Sequence, residues 1–306
     1  MTLSEDVRSE LAAIDPRRAC CRLAELSALV HGAGAVHFRG SGKVSVHIDL
    51  GSGAAARRTF ALLRRFGIAS EIRTYRQHAF DRASRYELHP GDGPRVLQTL
   101  NEAGVLDARL APLPVPPRRV VARPCCRAAY LRGALLAAGS VSGPRDPHLE
   151  LRAHTVESAR FLAGLAAEDG IRLGVVERSR HAAAYAKGGE AVAELLGFVG
   201  AHGTALALEE SAVVGSARAR ANRLANADHA NLVRTARSAR EEVRAIRRLA
   251  RTGELERLSP DLRQVAELRL RNPALSLREL AARCRPPATK TAVHRRLKRL
   301  VRLADL

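Results

Sequence analysis

The chain is 306 residues long and carries 51 Lys+Arg against 31 Asp+Glu, a formal net charge of +20, which favours a polyanionic partner, most simply nucleic acid. Hydrophobic residues at 46% are too many for a disordered basic tail, and 3% aromatics with no Trp argue against base-stacking platforms of the single-strand or RNA-recognition type. No run approaches the roughly 20 apolar residues of a membrane span, and the acidic, helical start MTLSEDVRSEL does not read as a signal peptide.

Only Lys43, Lys187, Lys290 and Lys298 are lysines, so the positive charge is nearly all guanidinium. It is also uneven. Residues 216–306 hold 23 Lys+Arg and 9 Asp+Glu, a net of +14, against +6 for the first 215. The nucleic-acid signal therefore lies mainly in the last third. The cysteines are Cys20-Cys21, Cys125-Cys126 and Cys284. Vicinal pairs lack zinc-finger spacing, so they read as small core residues in a reducing cytoplasm, and no metal or cofactor is expected.

Along the chain, residues 20–36 read CCRLAELSALVHGAGAV and residues 125–141 read CCRAAYLRGALLAAGSV, sharing Cys-Cys-Arg, Leu26/Leu131, Gly34/Gly139 and Val36/Val141 at an offset of 105. Each copy is followed by period-2 stretches, which predict strands, and by 3.6-period stretches, which predict helices. After the first come VHFRGSGKVSVHIDL, AAARRTFALLRRFG, IASEIRTYR, RASRYELHP and PRVLQTLNEAG. The second is followed by HLELRAH, VESARFLAGLAAEDG, IRLGVVERS, HAAAYAKGG and AVAELLGFVG. Both halves thus read αββαββα, the first over 1–110 and the second over 125–216. Between them, the five prolines of LAPLPVPPRRVVARP make 111–124 an irregular joint. A duplication of this length implies a pseudo-two-fold molecule rather than a solenoid.

The helix LRGALLAAG at 131–139 resembles the LAGLIDADG motif of homing endonucleases. In that family two such helices pack along the pseudo-two-fold axis through small residues, supplied here by Ala28, Gly32, Ala33 and Gly34 and by Gly133, Ala134, Ala137, Ala138 and Gly139. The resemblance also implies two saddles of four antiparallel strands. The endonucleases bind Mg²⁺ through the acid before the last Gly of each motif, but the matching positions here are Ala33 and Ala138. A methyl group holds no metal, so loss of the nuclease chemistry is expected.

Residues 218–251 lack Pro and Gly and predict a basic helical connector over 217–255, either one solvated helix or two joined near Asp228. Asn222, Arg223, Asn226 and Asn231 suit secondary DNA contacts or contacts with the preceding domain equally. Over 256–306 the capping signals are stronger. Ser259-Pro260 opens a helix that Asn272-Pro273 ends, Ser276-Leu277-Arg278-Glu279 is a capping box, and Thr289 caps a last basic helix after Pro286-Pro287. This order matches a helix-turn-helix. Val293, Leu297, Leu300 and Val301 form its buried face. Lys290, Thr291, His294, Arg295 and Lys298 are left for the groove side, with Arg295 suited to guanine, and Arg296, Arg299 and Arg302 suit flanking phosphates. The bland reading is a helical hairpin whose arginines reflect a GC-rich genome.

Taken together, CCRLAEL, AYLRGALLAAGSVSGP, NRLANADHAN and LSLRELAARCRPPATKTAVHRRLKRL resemble the WhiA family of bacterial transcription regulators. The fold class expected is α+β: two pseudo-symmetric LAGLIDADG-like halves, then an all-α helix-turn-helix domain. The resemblance implies a cytoplasmic, nucleoid-associated protein that binds double-stranded DNA at promoter sites and acts in sporulation and cell division without catalytic activity. A protein co-regulator or RNA polymerase would be a further partner; neither a membrane nor a small-molecule substrate is expected. The alternatives are an architectural nucleoid or division-linked protein and, more remotely, an active endonuclease. The family often has Ser-Lys-Ser and Asn-His-Arg where this chain has Thr289-Lys290-Thr291 and His294-Arg295 after Val293; the hydroxyl cap is kept, and the Asn-to-His change bears on base preference.

Overall fold

The repeated segments fold as two four-stranded antiparallel sheets with the same strand order. In the computed structural model, which describes residues 2–39, 43–76, 84–143 and 146–305, the first half runs α1 (Leu3–Ala12), α2 (Ala19–Ala33), β1 (Gly34–Arg39), β2 (Lys43–Leu50), α3 (Gly53–Arg65), β3 (Ser70–Arg76), β4 (Ser84–Pro90) and α4 (Pro94–Glu102). A short α5 (Arg118–Val121) leads to the second half: α6 (Pro124–Ala138), β5 (Gly139–Ser142), β6 (His148–Ala153), α7 (Val156–Ala167), β7 (Gly174–Glu177), β8 (Ala182–Lys187) and α8 (Gly189–Val199). The sheets are ordered β1-β2-β4-β3 and β5-β6-β8-β7. Period-2 patterning sets the faces: Val46, Ile48 and Leu50 of β2 are buried while His47 and Asp49 between them stay partly open.

The proline-rich joint is more ordered than its composition suggests. Leu106 bridges Pro112, and Arg118–Val121 is a helical turn with Val120 and Val121 buried. Pro117 sits at the N-cap of that turn, where a missing N–H costs nothing, and the residues after it are free to be helical.

Helices α2 and α6 lie along each other, in parallel, at the centre of this unit. A Cβ placed on Gly133 would come within 2.5 Å of the Glu25 carbonyl oxygen and 2.9 Å of Ala28 Cβ, and one on Gly32 within 2.8 Å of Ala137 Cβ. Ala28/Gly133 and Gly32/Ala137 are each separated by the repeat offset of 105. Equivalent residues therefore meet across the pseudo-two-fold axis, and the small side chains are what let the backbones approach. Helix α1 ties the halves further: Ser4 Oγ donates to the Val141 carbonyl and accepts from its N–H, both at 2.7 Å, and Arg8 donates to the Gly139 carbonyl at 2.6 Å. One continuous apolar core serves both halves.

The chain divides into two compact units, 1–215 and 216–306, with the division inside a single helix, α9 (His202–Arg251). The break considered near Asp228 is absent, because no Pro or Gly interrupts 216–251. Glu10 of α1 serves the start of α9: its carboxylate accepts from the N–H groups of Gly203 and Thr204 at 2.7 and 3.0 Å and from Thr204 Oγ1 at 2.6 Å. After a 3-10 turn at Glu254–Arg257, the second unit continues with α10 (Pro260–Arg271), α11 (Leu277–Arg283) and α12 (Lys290–Ala304). Its separate core joins Ile246 and Leu249 of α9 to Leu262, Val265, Leu280, Val293, Leu297 and Leu300. Among the described residues no helix is long and apolar enough to cross a membrane.

Candidate nucleic-acid interface

The three-helix arrangement is fixed by caps and by two polar clamps. Ser276 and Glu279 form a complete capping box at the start of α11, and Thr289 Oγ1 accepts from the Ala292 N–H at the start of α12. Ser259 occupies the N-cap of α10 but its hydroxyl makes no capping bond, leaving Pro260 as the local start signal. Gln264 of α10 grips the turn before α12 from both sides, donating to the Arg285 carbonyl at 3.0 Å and accepting from its N–H at 3.1 Å. Arg269, buried, pairs with Glu242 of α9 at 2.8 Å and donates to the Leu275 carbonyl at 2.7 Å, fixing the turn before α11. Burial pushes the Glu242 carboxyl above its ordinary value, against the pull of Arg269 and His294.

On α12, Val293, Leu297, Leu300 and Ala304 are buried, whereas Val301, assigned to the same face, is only partly covered. At about 100° per residue, the direction opposite this stripe is centred on Thr291, Arg295 and Arg302, with Lys298 and Arg299 on either side. All five are exposed. The remaining assigned residues lie at the edges. Lys290 is exposed at the first turn. His294 is exposed on the side facing α9, where it shares a recess of about 290 Å³ with Asn231, Glu242 and Arg269. Arg296 lies on the other flank, half-buried and ion-paired with Asp261 of α10. The guanidinium assigned to a phosphate thus already has a carboxylate partner.

Asn222, Arg223, Asn226 and Asn231 are all exposed on α9. Asn222 and Asn226 share a face, but Asn231, nine residues from Asn222, projects to about the opposite side. Asn231 accepts from Arg234 at 2.5 Å. The four therefore form no single patch.

In the first unit, the ends of α2 and α6 open into a cavity of about 390 Å³ whose lining includes Ala33 and Ala138, the two positions matched to endonuclease acids. Arg8, Arg85 and Arg152 also line it. Its one lining carboxylate among the described residues, Asp49, is engaged by Arg85 at 2.7 and 3.2 Å and by Tyr75 at 3.0 Å. Asp146 lies outside this lining. Cations stand where a metal site would need oxygen anions.

Vicinal spacing treats Cys20-Cys21 and Cys125-Cys126 as separate pairs, but all four sulfur atoms lie within 4.8 Å of one another. The signal was present in the repeat itself: two copies of Cys-Cys at equivalent positions of helices that meet at an axis.

Three family descriptions match successive parts of the chain: the WhiA N-terminal LAGLIDADG-like domain over 19–106, the WhiA LAGLIDADG-like domain over 127–218 and the WhiA C-terminal HTH domain over 221–304. The chain is 35% identical to the probable cell division protein WhiA of Heliobacterium modesticaldum, covering 100% of this chain and 96% of that one. It is 38% identical to the protein of the same description from Salinispora arenicola, covering 100% and 93%. The fold matches the crystal structure of full-length DUF199/WhiA from Thermotoga maritima with a TM-score of 0.59 at 24% identity, over 100% of this chain and 98% of that one. With relatives aligned along its whole length and both domain types in the same order, the chain belongs to the WhiA family.

Proposed function

We propose that the protein is a non-catalytic, sequence-specific binder of double-stranded DNA that regulates transcription at promoters in sporulation or cell division. The observation that carries this is the outward face of α12, where Thr291, Arg295, Lys298, Arg299 and Arg302 stand together without a carboxylate among them. A helix of this kind fits the major groove, with residues near its start reaching base edges. In this reading Arg295 and Lys298 read or approach bases, with Lys290, Thr291 and His294 beside them, while Arg299 and Arg302 hold phosphates. Arg296 braces α12 against α10 and contacts phosphate only if its pair with Asp261 opens. Asn222, Arg223, Asn226 and Asn231 serve as secondary contacts on separate faces of α9.

The absence of nuclease activity is part of the same proposal. It is supported by Ala33 and Ala138 and by the arginines around them. The cell-division names of the relatives support the biological setting.

The test is binding of the full chain to genomic fragments, followed by footprinting and a salt titration. A preferred site, with log K falling as log[salt] rises, is the expected result. Equal binding of every duplex at physiological salt would sink the specific-regulator reading and favour an architectural role. Specific nicking of plasmid in Mg²⁺ would revive the endonuclease.

A further inference from the structure

The four clustered cysteines sit where the N-terminal ends of two helices meet. Cys20 and Cys21 are the second and third residues of α2, and Cys125 and Cys126 hold the same places in α6. Both helices lack a side-chain cap and an acidic residue in the first turn. Two parallel helix N-termini, each equivalent to about half a positive charge, therefore converge with no anion supplied by ordinary capping. Arg18, itself at the N-cap of α2, donates to Cys125 Sγ at 3.6 Å. Thiolates formed as a metal binds would have this field and Arg18 to offset their charge.

We propose that Cys20, Cys21, Cys125 and Cys126 form a tetrathiolate site for a soft divalent cation, Zn²⁺, that pins the two LAGLIDADG-like halves together at the pseudo-two-fold axis. Zinc bound by four thiolates has Zn–S bonds of about 2.3 Å, which puts sulfurs about 3.8 Å apart in a tetrahedron. In this structure the four sulfurs all lie within 4.8 Å of one another, close to that spacing. Each half contributes a vicinal pair, so neither half holds the ion alone, and spacing rules for a single-segment zinc motif could not reveal it. Cys21 and Cys126 are buried while Cys20 and Cys125 are partly open, which gives the ion an entry side and a closed side.

On binding, each cysteine that is still protonated gives up its proton to solvent and its sulfur lone pair to the metal; no electron is transferred. The resulting complex carries excess negative charge, which Arg18 and the two helix ends offset.

The experiment is anaerobic titration of the reduced, metal-free full chain with Co²⁺ and then Zn²⁺. The proposal expects one ion per chain and the visible ligand-field bands of tetrahedral cobalt thiolate, bleached by Zn²⁺. It also expects four thiols to become unreactive while Cys284 does not change its behaviour. The double substitution Cys20→Ser/Cys125→Ser, at the two partly open positions, should weaken Zn²⁺ binding roughly 100-fold or more, since losing even an outer-shell partner can cost that much. Circular dichroism of this variant separates loss of a ligand from loss of the fold. Substoichiometric binding, an unchanged cobalt spectrum in the double variant, or cross-linking of the pairs as disulfides in the presence of equimolar Zn²⁺ would each overturn the site.

Discussion

Glu25 on α2 accepts two hydrogen bonds from Arg132 on α6, at 3.0 and 2.7 Å, while its other oxygen accepts from Arg58 of α3 at 2.6 Å. The carboxylate is fully buried and both guanidinium groups nearly so. Arg132 also donates to the Val199 carbonyl at 3.2 Å, so this one cluster links both halves and the end of α8. Charges so desolvated are stabilising only while all partners are present. Glu25→Gln should therefore destabilise the first unit by about 3–5 kcal/mol, the cost of leaving buried charge uncompensated. Chemical denaturation checks this, and an effect below about 1 kcal/mol would place the cluster with ordinary surface pairs.

The axis contact gives a second expectation. Gly133→Ala improves helix propensity by roughly 0.5–1 kcal/mol in an open helix. Here the added Cβ meets backbone, 2.5 Å from the Glu25 carbonyl oxygen, which cannot swing aside as a long side chain would. The net effect should be a loss of about 1–3 kcal/mol as α2 and α6 are forced apart. Gly164→Ala, with nothing within 4 Å of the new Cβ, is the control and should be neutral or stabilising.

The faces of α12 predict a graded response in DNA binding. Arg295→Ala, at the centre of the outward face, should cost about 1–3 kcal/mol at the preferred site and relax discrimination at one base pair. Arg302→Ala should weaken all sequences about equally and lower the salt slope by about 1. Arg296→Ala should instead cost less than about 1 kcal/mol of stability by removing a partly exposed ion pair with Asp261, with little loss of discrimination. Measuring affinity for matched and mismatched duplexes at two salt concentrations separates these outcomes.

Glu10 supplies a pH dependence. Burial raises its carboxyl, but hydrogen bonds from Thr204 Oγ1 and from the Gly203 and Thr204 N–H groups prevail and hold it below the ordinary value of 4.5. A carboxylate depressed in the folded state contributes stability above its unfolded value, and that contribution is lost as pH falls through the folded value. Wild-type thermal stability should accordingly decline as pH drops below about 4.5. Glu10→Gln should be less stable at neutral pH and show a shallower acid decline. Parallel curves would show that Glu10 has no share in it.

Much of the fold was legible in the sequence because the governing signals are local. Period-2 runs gave the strands, and the matching segments after each Cys-Cys-Arg gave two equivalent halves. The capping box at Ser276 and Glu279 and the hydroxyl at Thr289 marked helix starts to the residue, since each side chain bonds a backbone N–H three positions on. Helix α12 was less completely legible. Periodicity separated Val293, Leu297 and Leu300 from the cations, but it could not show that Asp261 of α10 occupies Arg296 or that His294 faces α9. Both depend on which helix lies beside each edge. The short helix at Arg118–Val121 was obscured by the prolines before it, which limit only their own neighbourhood.

The charge imbalance, the internal duplication and the alanines at 33 and 138 were determined by the sequence alone, because each is a property of residue order and composition. They pointed to a DNA-binding descendant of a duplicated fold. Only the tertiary structure decided what the duplication brings together. Packing α2 against α6 in parallel, permitted by Gly32 and Gly133, buries Glu25 between two arginines, gathers cationic side chains around Ala33 and Ala138, and converges four sulfurs from residues 105 apart. Proximity across a pseudo-two-fold axis is a property of the closed fold, and no pattern within either half contains it.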